Sequence, residues 1–185
     1  MDLTNHFLIA MPDMDDPFFA GSVVYLCRHD EDGALGVVVN KQSPMLMAMV
    51  FASGVSRVPE RFLDQWIMLG GPVNLERGFV LHSPASKWQN SVMVNEDISL
   101  TSSRDIIEYI GQNQSEEKIS KLMLTLGCAS WQAGQLEQEL AENAWLTVKA
   151  DEYILFDVPP EQRYAAAMAK LGVSEANLMQ GAGRA

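Results

Sequence analysis

Apolar and polar positions are patterned differently in the two halves of the chain. In the first half, short apolar runs alternate with turn residues at intervals too short for helices. Residues 6–11 (HFLIAM) form one such run, stopped at Pro12 and followed by an acidic loop over residues 13–17. Residues 22–29 (SVVYLCRH) are rich in β-branched and aromatic side chains, which suit a pleated, half-buried strand. Residues 30–33 (DEDG) accept turn dihedrals at little cost. Residues 34–40 (ALGVVVN) are therefore expected to run back as the partner strand of a hairpin. Further strands are expected over 66–69, 78–82 and 91–100, and a short helix over 45–54, ended by Gly54.

The second half introduces the helical period. Ile106, Ile107 and Ile110 form an apolar stripe over residues 104–112, with Ser102 or Ser103 as the expected N-cap. Residues 121–126 (KLMLTL) read as a buried strand. A helix capped by Ser130 is then expected to run to residue 143, with Ala133, Leu136, Leu140 and Ala144 on one side and Gln135, Glu139 and Glu142 on the solvated side. Residues 145–149 and 153–158 read as strands. Pro159 and Pro160 open a helix that ends at Gly172, and residues 180–185 read as a frayed tail. Hairpins first and strand–helix alternation later predict an α/β fold of the mixed α+β kind. Its mixed sheet carries helices, its N-terminal half is rich in hairpins, and residues 1–185 form one domain.

Charge narrows the function classes. Thirteen basic residues stand against 24 acidic ones, a formal net charge of −11. The basic residues are scattered, so neither the cationic footprint nor the basic recognition helix of a DNA-binding protein is present, and direct nucleic-acid binding is opposed. The two cysteines make no disulfide framework and no zinc spacing. The N-terminal segment lacks the basic region and apolar core of a secretory signal, and no run reaches the roughly 18 apolar residues of a membrane span. A cytoplasmic protein is expected, with no membrane partner, no metal and no cofactor.

Three segments carry side chains suited to chemistry or binding. Cys27 and His29 are two apart on an expected strand and would share a face with Tyr25, the spacing of a loose nucleophile–base pair. A buried cysteine beside a strand-end histidine has the same spacing. Residues 69–73 (LGGPV) and 77–82 (RGFVLH) place Gly70 and Gly71, whose backbone can approach a ligand closely, near Arg77 and His82. Neither the P-loop nor the dinucleotide fingerprint is met. Residues 126–139 (LGCASWQAGQLEQE) join a strand end to a helix start, where free N–H groups point outward. There Ser130, Trp131 and Gln135 form a candidate contact surface for a ligand or partner, although no GxSxG elbow surrounds the serine.

The order of these segments resembles the AlgH/YqgE family. The resemblance rests on LTNHFLIAMPDMDDPFF, SVVYLCRHDEDGALGVVVNK, LGGPV with RGFVLH, LGCASWQAGQLEQELAENAWL and the terminal helix, and covers nearly the whole chain. CASW departs from the family's YAGW-like run at Cys128. The resemblance implies a branched sheet curled into a pseudo-barrel with flanking helices. It also implies a role in regulating alginate synthesis, with no catalytic set or cofactor to carry over. The combined expectation is a noncatalytic regulatory or binding module. Its surface would be Gly70, Gly71, Arg77, His82, Ser130, Trp131 and Gln135, and its partner a protein or small molecule that the sequence does not name. The alternative is an enzyme or thiol-redox protein using Cys27 or the Ser130 turn. Oligomeric state is not legible.

Overall fold

The computed structural model describes residues 1–51, 58–112 and 118–182. Gly54, expected to end a helix, and residues 183–185 of the expected tail lie outside them. The fold is mixed α/β. It divides into two compact units, one of Met1–Lys41 with Ala129–Ala185 and one of Gln42–Cys128.

The first unit is built on an antiparallel ladder of β1 (His6–Ala10), β2 (Val23–Asp30), β3 (Gly33–Val38) and β10 (Trp145–Lys149), joined by the end of β9 (Lys121–Gln132). β10 lies outside β1, and β3 pairs with β9 from Gly33↔Gln132 to Gly36↔Ala129. The hairpin expected at residues 30–33 is present, because Asp30 pairs with Gly33. One face of this sheet carries Leu8, Val24, Leu26, Ala34, Val38, Ala129, Trp131 and Trp145, with Leu136 of α3 (Gln135–Ala141) packed on it. Burying each of the larger of these side chains is worth about 1.5–3 kcal/mol, so this face contributes much of the stability of the ladder.

The other face is tied to α5 (Arg163–Lys170). Arg163, buried in this helix, donates from Nε to the carbonyl of Val158 and from Nη1 to that of Val39, 124 residues away. Burial pulls its guanidinium down to about 10. Tyr164 donates to the carbonyl of Ala10.

The second unit holds β4 (Gln42–Leu46), α1 (Met47–Phe51), β5 (Trp66–Leu69), β6 (Val73–Ser83), β7 (Ser91–Met93), β8 (Ser99–Thr101), α2 (Asp105–Gln112) and the first part of β9. β6 lies between β9 and β8, all antiparallel, while β5 runs parallel to β9. Ile67, Val80, Ile106, Ile110, Leu122 and Leu124 form its core.

Several elements differ from the sequence pattern. Residues 91–100 make two short strands, β7 and β8, paired antiparallel and turned at residues 94–98. Residues 153–158 belong mostly to helix α4 (Glu152–Phe156), because Asp151 accepts from the N–H groups of Tyr153 and Ile154 and so fixes a helix start. The Ser103 hydroxyl accepts from Asn90 rather than from α2. The helix expected from Ser130 begins at Gln135, after a left-handed Gly134. Ser130 is still in β9, where pairing with Leu35 of β3 outweighs the weak strand preference of the small residues around it. α6 (Glu175–Ala182) is a further helix in a segment where the pattern gave none.

Candidate functional site

In the second unit, the Gly70–Gly71 bend packs on β9. The Gly70 N–H donates to the carbonyl of Leu126 at 2.8 Å. A Cβ on Gly127 would stand 2.3 Å from the carbonyl oxygen of Gly71, and the φ of Gly127 is +75°. Only glycine combines that dihedral with such close backbone approach. The consequence appears in β6. Val73 pairs with Cys128 and Gly78 with Leu126, so residues 74–77 stand opposite the single residue Gly127 and bulge from the ladder. The bulge is exposed and carries Leu75 (51 % exposed) and Arg77, next to exposed Val73 (37 %). Arg77 donates to Ser102 Oγ at 3.3 Å and lies 6.0 Å from the ring of Phe79.

Cys128 is buried, which raises its thiol above the ordinary range, and nearby Arg77 offsets part of that effect. His82 is fully buried. Its Nδ1 faces the carbonyl of Pro84 at 3.4 Å, so Nδ1 carries the proton and Nε2 accepts from Thr101 Oγ1 at 2.8 Å. Thr101 in turn accepts from Ser91 at 2.7 Å, and Ser91 from the N–H of Trp88 at 2.9 Å. Every link runs in one direction and ends on a neutral imidazole. Desolvation pulls its pKa from 6.5 down to about 4.

In the first unit, a register shift at Cys27 changes the expected Cys27–His29 arrangement. Leu26 pairs with Gly36 and Arg28 with Leu35, so Cys27 is the extra residue of a β-bulge. Tyr25 pairs with Val37 and His29 with Ala34, positions three apart, and they therefore lie on opposite faces of the sheet. The Cys27 thiol is buried and lies 3.7 Å from the carbonyl of Tyr25. Nδ1 of His29 accepts from the N–H of Leu3 at 3.1 Å, and Nε2 therefore donates to Glu137 Oε1 at 2.7 Å. The Glu137 carboxyl is held below its ordinary range, first by its own backbone N–H and then by His29.

Ser130 is exposed and shares a sheet face with Leu35, whereas Trp131 faces the core with Ala34. The Trp131 indole stacks on Phe19 at 6.2 Å between ring centres. Gln135 donates to Glu139 Oε1 at 3.1 Å and accepts from the Gln132 N–H at 3.1 Å, fastening the helix start to the end of the strand. Glu139, expected on a solvated face, is half-buried, and its Oε2 accepts from the Trp131 indole N–H at 2.9 Å.

Val73, Leu75, Gly127 and Glu137 escaped the sequence reading. The alternation Val73–Asn74–Leu75–Glu76 was the available signal for a longer β6, and the isolated Gly127 inside an apolar run was the signal for a bulge. Among the described residues, no three His, Cys, Asp or Glu side chains converge as metal ligands would.

The family model described as AlgH-like matches residues 7–176. The chain belongs to the AlgH-like family. Among AlgH-like relatives, a UPF0301 protein of Neisseria meningitidis serogroup B is 56 % identical over 185 residues, all of both chains. A UPF0301 protein of Dechloromonas aromatica is 47 % identical over all of this chain and 98 % of its own. The solution structure of the AlgH protein from Pseudomonas aeruginosa superposes with a TM-score of 0.79 at 43 % identity, covering 97 % of this chain and 94 % of that one. A Corynebacterium diphtheriae protein shares the AlgH-like fold, with a TM-score of 0.69 at 22 % identity over 90 % of this chain and 85 % of its own. Among the described residues, no helix is long and apolar enough to cross a membrane.

Proposed function

We propose that this AlgH-like chain is a noncatalytic, cytoplasmic regulatory module that acts by capturing a protein partner. The contact region is the β6 bulge beside Gly70 and Gly71. The observation that carries the proposal is the exposure of Leu75 and Arg77, two of the four residues that bulge opposite Gly127, beside exposed Val73 at the start of β6. Apolar side chains held in water beside a guanidinium have the composition of an interface core with a polar rim. His82 supports the site from within, since its chain of hydrogen bonds fixes β6 against β8 and β7. A regulatory effect on transcription would pass through the partner, because the −11 charge opposes DNA contact.

The test compares immobilised wild-type chain with Leu75→Asp and Arg77→Ala in capture from bacterial lysate, with melting temperatures measured in parallel. One protein enriched by wild type and lost in both variants, at unchanged melting temperature, is the expected result. Equal capture by all three, or a gel shift of duplex DNA at low salt, refutes the proposal. A signal that follows a small molecule removed by dialysis reassigns the bulge to a ligand.

A further inference from the structure

The segment Met1–Thr4 is tied to β2 through a histidine. Leu3 belongs to the apolar core that holds Leu8, Leu26 and Leu136, and its N–H donates to Nδ1 of His29 at 3.1 Å. The N–H of His29 donates in return to Thr4 Oγ1 at 3.0 Å. Beyond Thr4 the chain is fastened by other groups. The Asn5 N–H donates to the carbonyl of Leu26, the Asn5 carbonyl accepts from the N–H of Ala150, and its side-chain oxygen accepts from the buried Tyr25 hydroxyl. Asn5 has a φ of +61°, so the backbone bends there before β1 begins.

We propose that His29 is the catch of an acid-opened latch: protonation of its ring releases Met1–Thr4 from the core of the first unit, with the chain pivoting at Asn5. His29 is buried, and both ring nitrogens are committed, Nε2 as donor to Glu137 and Nδ1 as acceptor from Leu3. An imidazolium is a donor at both nitrogens. A proton added at Nδ1 would point at the Leu3 N–H, so the seated segment and the charged ring exclude each other. Once the segment leaves, Nδ1 takes a proton while Nε2 keeps its bond to Glu137. The released form therefore binds the proton more tightly, and by linkage the proton favours release.

The charges around the ring set the balance. Glu137 of α3 lies 2.7 Å from Nε2, and Asp2 of the segment also attracts a positive ring. Both carboxyls are held below their ordinary range, Glu137 first by its own N–H and Asp2 first by the N–H of Thr4, so both stay ionised in mild acid. The Met1 amine, which also acts on Glu137, leaves with the segment. Glu139, on the same helix, is occupied by the indoles of Trp131 and Trp145. On β2 the flanking Arg28 and Asp30 pair with each other at 3.4 Å, and Ala34 opposite on β3 carries no charge. His6 has a different role. Its Nδ1 donates to the carbonyl of Thr4 at 3.0 Å, and a second proton would enter at Nε2 without breaking that bond.

The experiment is nuclear magnetic resonance of the full chain between about pH 8 and pH 5, the range in which histidine charge changes. Ring nitrogen shifts of His29 report its proton, and backbone order parameters of residues 2–4 report the latch. Order of about 0.85 at the upper pH should fall below about 0.6 at the lower, in step with protonation of His29, while Asn5 and β1 stay rigid throughout. Glu137→Gln keeps an acceptor for Nε2 but loses the charge, and should move the opening to lower pH. His29→Gln should make the order of the segment independent of pH, and His6→Gln should leave the opening unchanged. A ring that gains its proton while residues 2–4 stay ordered overturns the proposal, as does a segment ordered down to the lowest pH or an opening that persists in His29→Gln. If that variant fails to fold, Glu137→Gln decides, and opening at the wild-type pH overturns the latch.

Discussion

Trp131 and Trp145 share one acceptor: both indole N–H groups donate to Oε2 of Glu139, at 2.9 and 2.8 Å. Both rings are buried and meet edge to face at 6.2 Å. Removing the carboxylate strands two buried donors. Glu139→Ala should therefore cost about 2–4 kcal/mol, since each unsatisfied buried group costs about 1–3 kcal/mol. Glu139→Gln, which keeps an acceptor, should cost less than half as much. Urea denaturation followed by tryptophan fluorescence measures both. An alanine variant within about 0.5 kcal/mol of wild type would remove Glu139 from this role.

His82 predicts a pH dependence. Its folded pKa lies near 4 and its ordinary value is 6.5. Below pH 6.5 the unfolded chain takes up a proton that the folded chain refuses, so stability present above that pH is lost as pH falls toward 4. The full contribution is roughly 3 kcal/mol. His82→Gln, which still offers Thr101 an acceptor, should lack this component. Denaturation of the two proteins at pH 7.5, 5.5 and 4.5 should show their stability difference narrowing with acid, and a constant difference would contradict the buried neutral imidazole.

Two glycines with similar dihedrals should respond differently to alanine. Gly127 (φ +75°) has a carbonyl oxygen 2.3 Å from where its Cβ would stand, while Gly134 (φ +77°) has nothing within 4 Å. Gly134→Ala should cost about 1 kcal/mol of backbone strain. Gly127→Ala adds a clash and should cost about 3 kcal/mol or more, moving the β6 bulge with it. Thermal melts of the pair test the contrast, and equal losses would mean that the bend at Gly71 yields easily.

Both thiols should resist labelling in the folded chain. Cys27 and Cys128 are 1 % and 3 % exposed, and burial raises the Cys128 thiol, so alkylation should be limited by opening of the structure rather than by thiolate fraction. Labelling by iodoacetamide across pH 7–9, with and without urea, reads this directly. Rapid modification of Cys27 in native conditions would revive the thiol reading.

How far the sequence went depends on which force set each element. The hairpin of β2 and β3 was legible because β-branched residues flank an Asp–Gly turn, so local preference and tertiary pairing agree. α4 was missed because a short apolar run has no period of its own, and only Asp151 marked a cap. The bulge at Cys27 left no mark in composition, yet it put His29 on the face opposite Tyr25. Ser130, Trp131 and Gln135 were expected together at the start of one helix, but Ser130 and Trp131 lie on β9 and only Gln135 opens α3. There, pairing with β3 prevailed over the cap signal. Arg77 was visible as a basic residue soon after a glycine bend, whereas the exposure of Leu75 depended on where the ladder slipped.

The division of the chain also fixes an order of events on the ribosome. Residues Gln42–Cys128 are continuous, so every strand of that unit has emerged before the other is complete. β1 must wait for β10, a partner synthesised more than a hundred residues later, and the carbonyl of Val39 waits for Arg163 in the same way. At bacterial elongation rates that delay is on the order of ten seconds. For that interval the nascent β1–β2–β3 meander has one open edge at β1 and another at β3, and a chaperone would find its apolar strands there.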